Sequence, residues 1–144
     1  MLEMINPVWV QDFWRLLLSF AIALPIGWDR EQEDRSAGVR TFPIVSMGSC
    51  GLILVAARLT GNGGDIQSRI LQGLVTGIGF VGGGAILKQD KTIHGTATAA
   101  SIFNMAIIGA SIGFAFYDIA VILAVINFII LRSLRAFKSK LDRR

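Results

Sequence analysis

The sequence predicts an all-α integral membrane protein with five transmembrane helices, its N-terminus outside and its C-terminus in the cytoplasm. Three observations predict it. Of 144 residues, 53% are hydrophobic and 17% charged, against about 45–50% apolar and about 25% charged in a soluble domain. Uncharged runs of membrane-crossing length recur along the chain. The basic residues collect in alternate loops. The 16 glycines sit inside apolar runs, which excludes a collagen-like or disordered chain. The single cysteine excludes an internal disulfide framework and a cysteine zinc site.

A spanning helix needs about 20 apolar residues, with a working range of about 17–25. The first span falls near residues 13–28, apolar but for Arg15 and carrying Pro25 toward its end. Uncharged runs place the second near 41–57 and the third near 70–87. From residue 97 to 131 the only charge is Asp118. As one helix this stretch would run about 52 Å at 1.5 Å per residue, overshooting a hydrocarbon core of about 30 Å. It therefore reads as two spans, near 97–114 and 117–134, turning between Gly113 and Asp118. Together the spans make one transmembrane domain over residues 1–137, followed by a basic tail, 138–144.

Orientation follows from the basic residues, which are enriched in cytoplasmic loops. Arg30, Arg35, Arg40, Lys88, Lys91, Arg132, Arg135, Lys138, Lys140, Arg143 and Arg144 share one side; Arg15, Arg58 and Arg69 take the other. The net charge of +4 is thus a juxtamembrane feature that meets anionic lipid, with no nucleic-acid role. Glu3 and Asp12 precede Arg15, so the basic n-region of a signal peptide is missing and the N-terminus is expected to be retained. Residues 7–14, with Trp9 and Trp14, are expected to lie along the outer interface.

Gly77-Ile78-Gly79-Phe80-Val81-Gly82 fits the dinucleotide fingerprint, but that motif works only between a strand and a helix N-terminus. Within an apolar run it reads as helix packing, because small residues let membrane helices approach closely. Gly73, Gly77 and Gly84 project to one side and Gly79, Gly82 and Gly83 to another, so the third helix is smooth on two faces. Ala99, Ala106, Gly109, Ala110 and Gly113 form a matching stripe on the fourth, and close contact between spans three and four is expected. The same smoothness also suits a narrow pathway. Opposite that stripe lie Ser101, Asn104 and Ser111, with Asn127, Ser46, Ser49 and Cys50 as hydrogen-bond partners on neighbouring spans. No charged side chain is expected at mid-membrane depth, which weighs against an ion pump or proton relay.

Chemistry concentrates after the first span, in Gly27-Trp28-Asp29-Arg30-Glu31-Gln32-Glu33-Asp34-Arg35. On a helix Arg30 meets Asp34 and Glu31 meets Arg35, while Asp29 stacks on Glu33. Exposed ion pairs are the commoner reading of such a run; a Mg2+ ion on Asp29 with Glu31 or Glu33 is the alternative. Gly38 then breaks the helix, Arg40 anchors at the interface, and Pro43 enters the next helix in its first turn, where no N–H is lost. His94 stands alone in a loop. Without a nucleophile, base or metal cluster, neither an enzyme nor a bound cofactor is indicated.

Taken in order, Gly27-Trp28-Asp29-Arg30-Glu31, Ala37-Gly38-Val39-Arg40-Thr41, Gly48-Ser49, the run from Gly77 through Gly82, Gly83 and Gly84 to Leu87, and Thr98-Ala99-Ala100-Ser101 with Ala106 and Gly109 resemble the MgtC/SapB family of bacterial inner-membrane proteins. The family pattern after the first span is Gly-x-Glu-Arg-Glu, so Asp29 is a shortened acid, and Phe103 stands where Trp is usual. The chain resembles a short form, ending where longer members add a soluble cytoplasmic domain. The resemblance implies the same topology and a role in Mg2+ homeostasis, low-Mg2+ growth and virulence, including restraint of the membrane ATP synthase. It also directs attention to Asp29, Arg30, Glu31, Gly38, Arg40, Thr41, Ser49, Gly77, Gly79, Gly82, Gly84 and Thr98, to which the polar stripe of the fourth span adds Asn104. The leading expectation is a regulatory or accessory protein that contacts itself or another membrane protein through its helices. The alternative is a transporter or channel for Mg2+ or another small solute, with Asn104 lining its path.

Overall fold

The structure is a computed structural model that describes residues 7–32, 37–60, 64–89 and 92–141. Five helices and one short hairpin follow in order: α1 (Val8–Glu31), α2 (Thr41–Thr60), α3 (Gly64–Gly84), β1 (Leu87–Gln89), β2 (Thr92–His94), α4 (Thr96–Gly113) and α5 (Tyr117–Leu141). Among the described residues α1, α2 up to Leu59, and α4 are long and apolar enough to cross a membrane. α3 spends Asp65, Gln67, Ser68, Arg69 and Gln72 in its first half, and its later half is diluted with glycine.

The hairpin is a departure from the sequence reading, which has only a loop there. Leu87 pairs with His94 and Gln89 with Thr92, antiparallel. Gly95 closes its base with φ +89°, and a Cβ there would overlap the Ala85 carbonyl, so only glycine fits. Val8 to Trp14, expected along the outer interface, are the first two turns of α1, continuous with the rest. At the other end of the chain α5 continues through Leu141, and residues 142–144 lie outside the described set.

α4 is the axis of the bundle. Twelve of its residues are buried, from Thr98 to Gly113, because α1, α2, α3 and α5 all pack against it. The tightest seam is with α2. A Cβ on Gly109 would overlap the Ser46 carbonyl, and one on Gly113 would stand 2.7 Å from Ile53 Cβ and 3.0 Å from the Cys50 carbonyl. Small residues four apart let the two backbones meet. Phe42, Ile26, Ile102, Met105, Ile108 and Ile112 fill the core beside this seam.

The small-residue stripe of α4 was expected to receive α3, and the structure divides it. It is about 100° wide at 100° per residue, enough for its edges to meet different helices. Gly109 and Gly113 serve α2. Ala99 meets Gly82 of α3, 3.3 Å from Ala99 O to the position of a Cβ. Ala110 joins Ile53 and Leu74, with Ile70, Leu71 and Ile78, in the smaller cluster that seats α3.

Hydrogen bonds follow the same geometry. Ser19 and Ser46 share one at 2.7 Å between α1 and α2. Ser101 Oγ donates to Asn127 Oδ1 of α5 at 3.5 Å, the pairing the polar stripe of α4 called for. Ser111 instead donates to the Ile107 carbonyl of its own helix, and Asn104 is half-buried. Ser46, expected to serve α4, is turned to α1 because its backbone already lies against Gly109.

The α4–α5 connection falls at Phe114–Phe116, as the sequence reading has it. It is a Schellman turn: Phe116 N–H donates to Ser111 O and Ala115 N–H to Ile112 O, at 2.8 and 3.0 Å. Its left-handed position is held by Ala115, φ +64°, where glycine is usual. Arg15 Nη1 donates to the Gly113 carbonyl at 3.2 Å, placing a cation at the negative end of α4, and Asp12 pairs with Arg58 beside it.

Two opposite effects are expected. Gly109→Leu forces α2 and α4 apart and costs at least about 2 kcal/mol, whereas Ala115→Gly relieves the strained turn and stabilises by about 0.5–1 kcal/mol. Equilibrium unfolding in mixed micelles measures both; an unchanged Gly109→Leu would overturn the α2–α4 seam.

Candidate functional site

The last turn of α1 sends each side chain of Trp28-Asp29-Arg30-Glu31 to a different neighbour. Successive helical residues project 100° apart, so consecutive positions can reach three separate elements. Trp28 stays outside, 62% exposed. Asp29, 5% exposed, faces α5, with Arg132 Nη1 4.0 Å from its Oδ1. Arg30, 4% exposed, donates from Nη2 to Thr98 Oγ1 at 3.1 Å in the first turn of α4. Glu31 accepts the Val39 N–H at 3.1 Å, which pins the returning chain.

Glycine stands at two close approaches in the returning turn. A Cβ on Gly27 would be 3.0 Å from Val39 Cα, and one on Gly38 would overlap the Glu31 carboxylate. Ala37 and Phe42 are buried on either side, anchoring the turn in the core. Arg40 is exposed, Thr41 opens α2 half-buried, and Pro43 is buried in its first turn, where its missing N–H costs nothing.

The run was expected as exposed ion pairs along one helix; the structure corrects the exposure, since Asp29 and Arg30 are buried, while the pairing with Asp34 and Arg35 falls outside the described residues. α1 ends at Glu31 with Gln32 as its cap, and Asp29 and Arg30 are buried against other helices. Glu33, Asp34 and Arg35 lie outside the described residues. Asp29 and Glu31 serve different elements, and among the described residues no group of three His, Cys, Asp or Glu is arranged to hold a metal. Beside Asp29 an open groove of about 460 Å³ runs between α1 and α5, lined by Pro25, Trp28, Asp29, Gln32, Phe128 and Arg132. The Arg132 guanidinium lies 5.9 Å from the Phe128 ring centre.

The glycines of α3 behave differently from the packing expectation. Gly82 meets Ala99, but a Cβ at Gly73, Gly77, Gly79, Gly83 or Gly84 would enter open space. Phe80 among them is 85% exposed. An apolar hollow of about 380 Å³ opens along this helix, lined by Leu52 of α2 and by Ile70, Gly73, Leu74, Gly77 and Ile78. The reason is position: α3 touches the bundle along one side only, so the face of Gly73, Gly77 and Gly84 meets no partner among the described residues. Ser49 is buried, and among the described residues neither its Oγ nor the Asn127 Nδ2 finds a hydrogen-bond partner. His94 sits on β2, exposed.

Sequence reasoning missed Arg15, Ser19, Gly95 and Arg132. One signal was available. Arg15 and Arg30 are separated by the same interval as Thr98 and Gly113, so two antiparallel helices could be clasped at both ends by one pair of arginines. The spacing is about 22 Å along each axis.

These features define a small all-helical protein built around membrane-length helices and locked by buried polar contacts at the end of its first helix. The chain belongs to the MgtC family, whose profile matches residues 16–140. It is 35% identical over 126 residues to Protein SrpB of Synechococcus elongatus, a stretch covering 79% of this chain and 69% of that protein. It is 35% identical over 124 residues to the Putative magnesium transporter YhiD of Escherichia coli, covering 81% and 57% of the two chains. It is 30% identical over 95 residues to Protein MgtC of Brucella abortus, covering 66% and 39%. The chain thus spans about half the length of most of these curated relatives. No solved structure matches it.

If Gly38 is dictated by the Glu31 carboxylate, Gly38→Ala costs about 1–3 kcal/mol, and about 0.5 kcal/mol or less once Glu31→Ala has removed the obstacle. A double-mutant cycle on unfolding free energies checks this; additive costs would disprove the dependence.

Proposed function

We propose that this chain is a multi-pass protein of the bacterial inner membrane, with its C-terminus in the cytoplasm, that acts in Mg2+ homeostasis as a regulatory or accessory partner of another membrane protein. One observation carries this reading: the outward side of α3, where the Gly73, Gly77 and Gly84 positions meet open space beside an apolar hollow. In lipid, helices gain little from hydrophobic burial and associate by close packing of small residues. A smooth helix left uncovered by its own bundle is therefore a surface built for a helix from elsewhere.

The magnesium link comes from the family resemblance and from the printed name of one relative, the putative magnesium transporter YhiD. The orientation rests on the Lys and Arg distribution. The membrane ATP synthase, implied by the family resemblance, is the partner to test first. α3 and α5 complete the five crossings in this reading.

Transport is the second reading, favoured by the printed name of YhiD. It asks for a polar path through the bundle, and the half-buried Asn104 on α4 is where such a path would run. Mg2+ binds through oxygen ligands and keeps several waters, whereas Asp29 and Glu31 are committed to α5 and to the α1–α2 turn.

Gly77→Leu fills the hollow without touching the α2–α4 seam. Recovery of ATP synthase subunits with the tagged protein, after cross-linking in membranes, is expected to fall at least tenfold while folding is kept. Proteoliposomes are expected to take up no more Mg2+ than empty vesicles. Uptake that disappears on Asn104→Leu would overturn the regulatory reading in favour of transport.

A further inference from the structure

We propose that a second copy of this chain occupies the outward stripe of α3, forming a parallel two-fold dimer centred on Gln72 and Thr76. The inference rests on α3 crossing the bilayer, as in the proposed function, but concerns a different side of the helix from the Gly73–Gly77 hollow.

Asp65, Arg69, Gln72, Thr76, Gly79 and Gly83 are all exposed and fall within about 80° of one another at 100° per residue. The side that meets the bundle carries Leu74 and Gly82 instead. A polar stripe facing lipid is costly, since hydrocarbon offers nothing to hydrogen-bond. Part of that cost is absorbed locally: Thr76 Oγ1 donates to the Gln72 carbonyl at 2.9 Å and Ser68 Oγ to the Gly64 carbonyl at 3.0 Å. The side-chain amide of Gln72 points outward with the stripe and asks for a partner outside the bundle.

The stripe is complementary to itself. Copies inserted the same way pair about an axis along the membrane normal, so each central residue meets its own counterpart. Gln72 carries both a donor and an acceptor, so two copies satisfy each other. Asp65 and Arg69 are one turn apart and opposite in charge, which lets each reach the other's counterpart near the membrane surface. Phe80 is a large knob, 85% exposed, standing about 60° from the centre of the stripe, whose Gly79 and Gly83 positions are empty to 4 Å. Knob and hollows, donor and acceptor, acid and base are all present on one copy.

Cys50 is the only cysteine and is buried, so Cys50→Ala gives a background for single cysteines. In native membranes under mild oxidation, Thr76→Cys and Gly83→Cys are expected to cross-link copies at least tenfold faster than Val121→Cys on the exposed side of α5. Gln72→Leu added to Thr76→Cys is expected to lower that rate about tenfold. Equal rates at the three positions, or no effect of Gln72→Leu, would overturn the dimer. A photoreactive group at position 76 that captures a different polypeptide and no second copy would overturn the dimer but leave the proposed function standing. Labelling of Ser68→Cys and Gly84→Cys by an impermeant reagent from the same side would overturn the crossing on which both rest.

Discussion

The backbone contact between α2 and α4 is the constraint from which the rest of the bundle follows. Gly109 lies against the Ser46 carbonyl, where no other side chain could stand. Because helix association in lipid draws little from the hydrophobic effect, the closeness of that approach, and the dispersion contacts it brings, takes over the role of a soluble core. With α2 and α4 fixed, the Ser46 hydroxyl turns to Ser19 and so places α1. The opposite edge of α4 remains for α3, and Ser101 is left to reach α5.

α1 is then held against α4 at both ends by arginines. Arg15 reaches the Gly113 carbonyl and Arg30 reaches Thr98, across an antiparallel pair with matched intervals. The two ends are electrostatically unlike. Arg15 sits at the C-terminal end of α4, where the helix dipole favours a cation. Arg30 is near its N-terminal end, where the dipole opposes one, and it is buried as well. A buried charge persists only where hydrogen bonds and counter-charges surround it. This accounts for the density of chemistry in Trp28-Asp29-Arg30-Glu31: the motif closes the end of the bundle through α4, α5 and the returning turn at once.

α3 contrasts with both. Its one side is seated by Leu74, Ile70 and Ile78 against Ile53 and Ala110, and its remaining surface combines glycines, an exposed phenylalanine and a polar stripe. A helix whose own protein needs only one of its sides has the others free for association. The rigid elements and the available surface are thereby separated, with α1, α2 and α4 forming the frame.

Much of this was readable in the sequence, because length and hydropathy sufficient for a membrane are written directly into a helix, as in α1, α2 and α4. The turn at residues 113–118 follows from the excess length of residues 97–131, and the Ser101–Asn127 pairing from the cost of lone polar groups in lipid. Thr98 entered through resemblance, without a reason, and Gly38 only as a helix breaker. The tertiary structure supplied the reasons, Gly38 yielding to Glu31 and Thr98 receiving Arg30, and only it could decide which small residues are covered. Gly77 and Gly109 look alike in sequence, each an apolar-run glycine with small neighbours. One faces open space and the other another backbone, because hydropathy specifies that a helix enters the membrane but not which of its sides a neighbour takes. That choice depends on where the other four helices stand. Composition and periodicity thus determined five helices and their chemistry, and packing decided which surfaces remain for a partner.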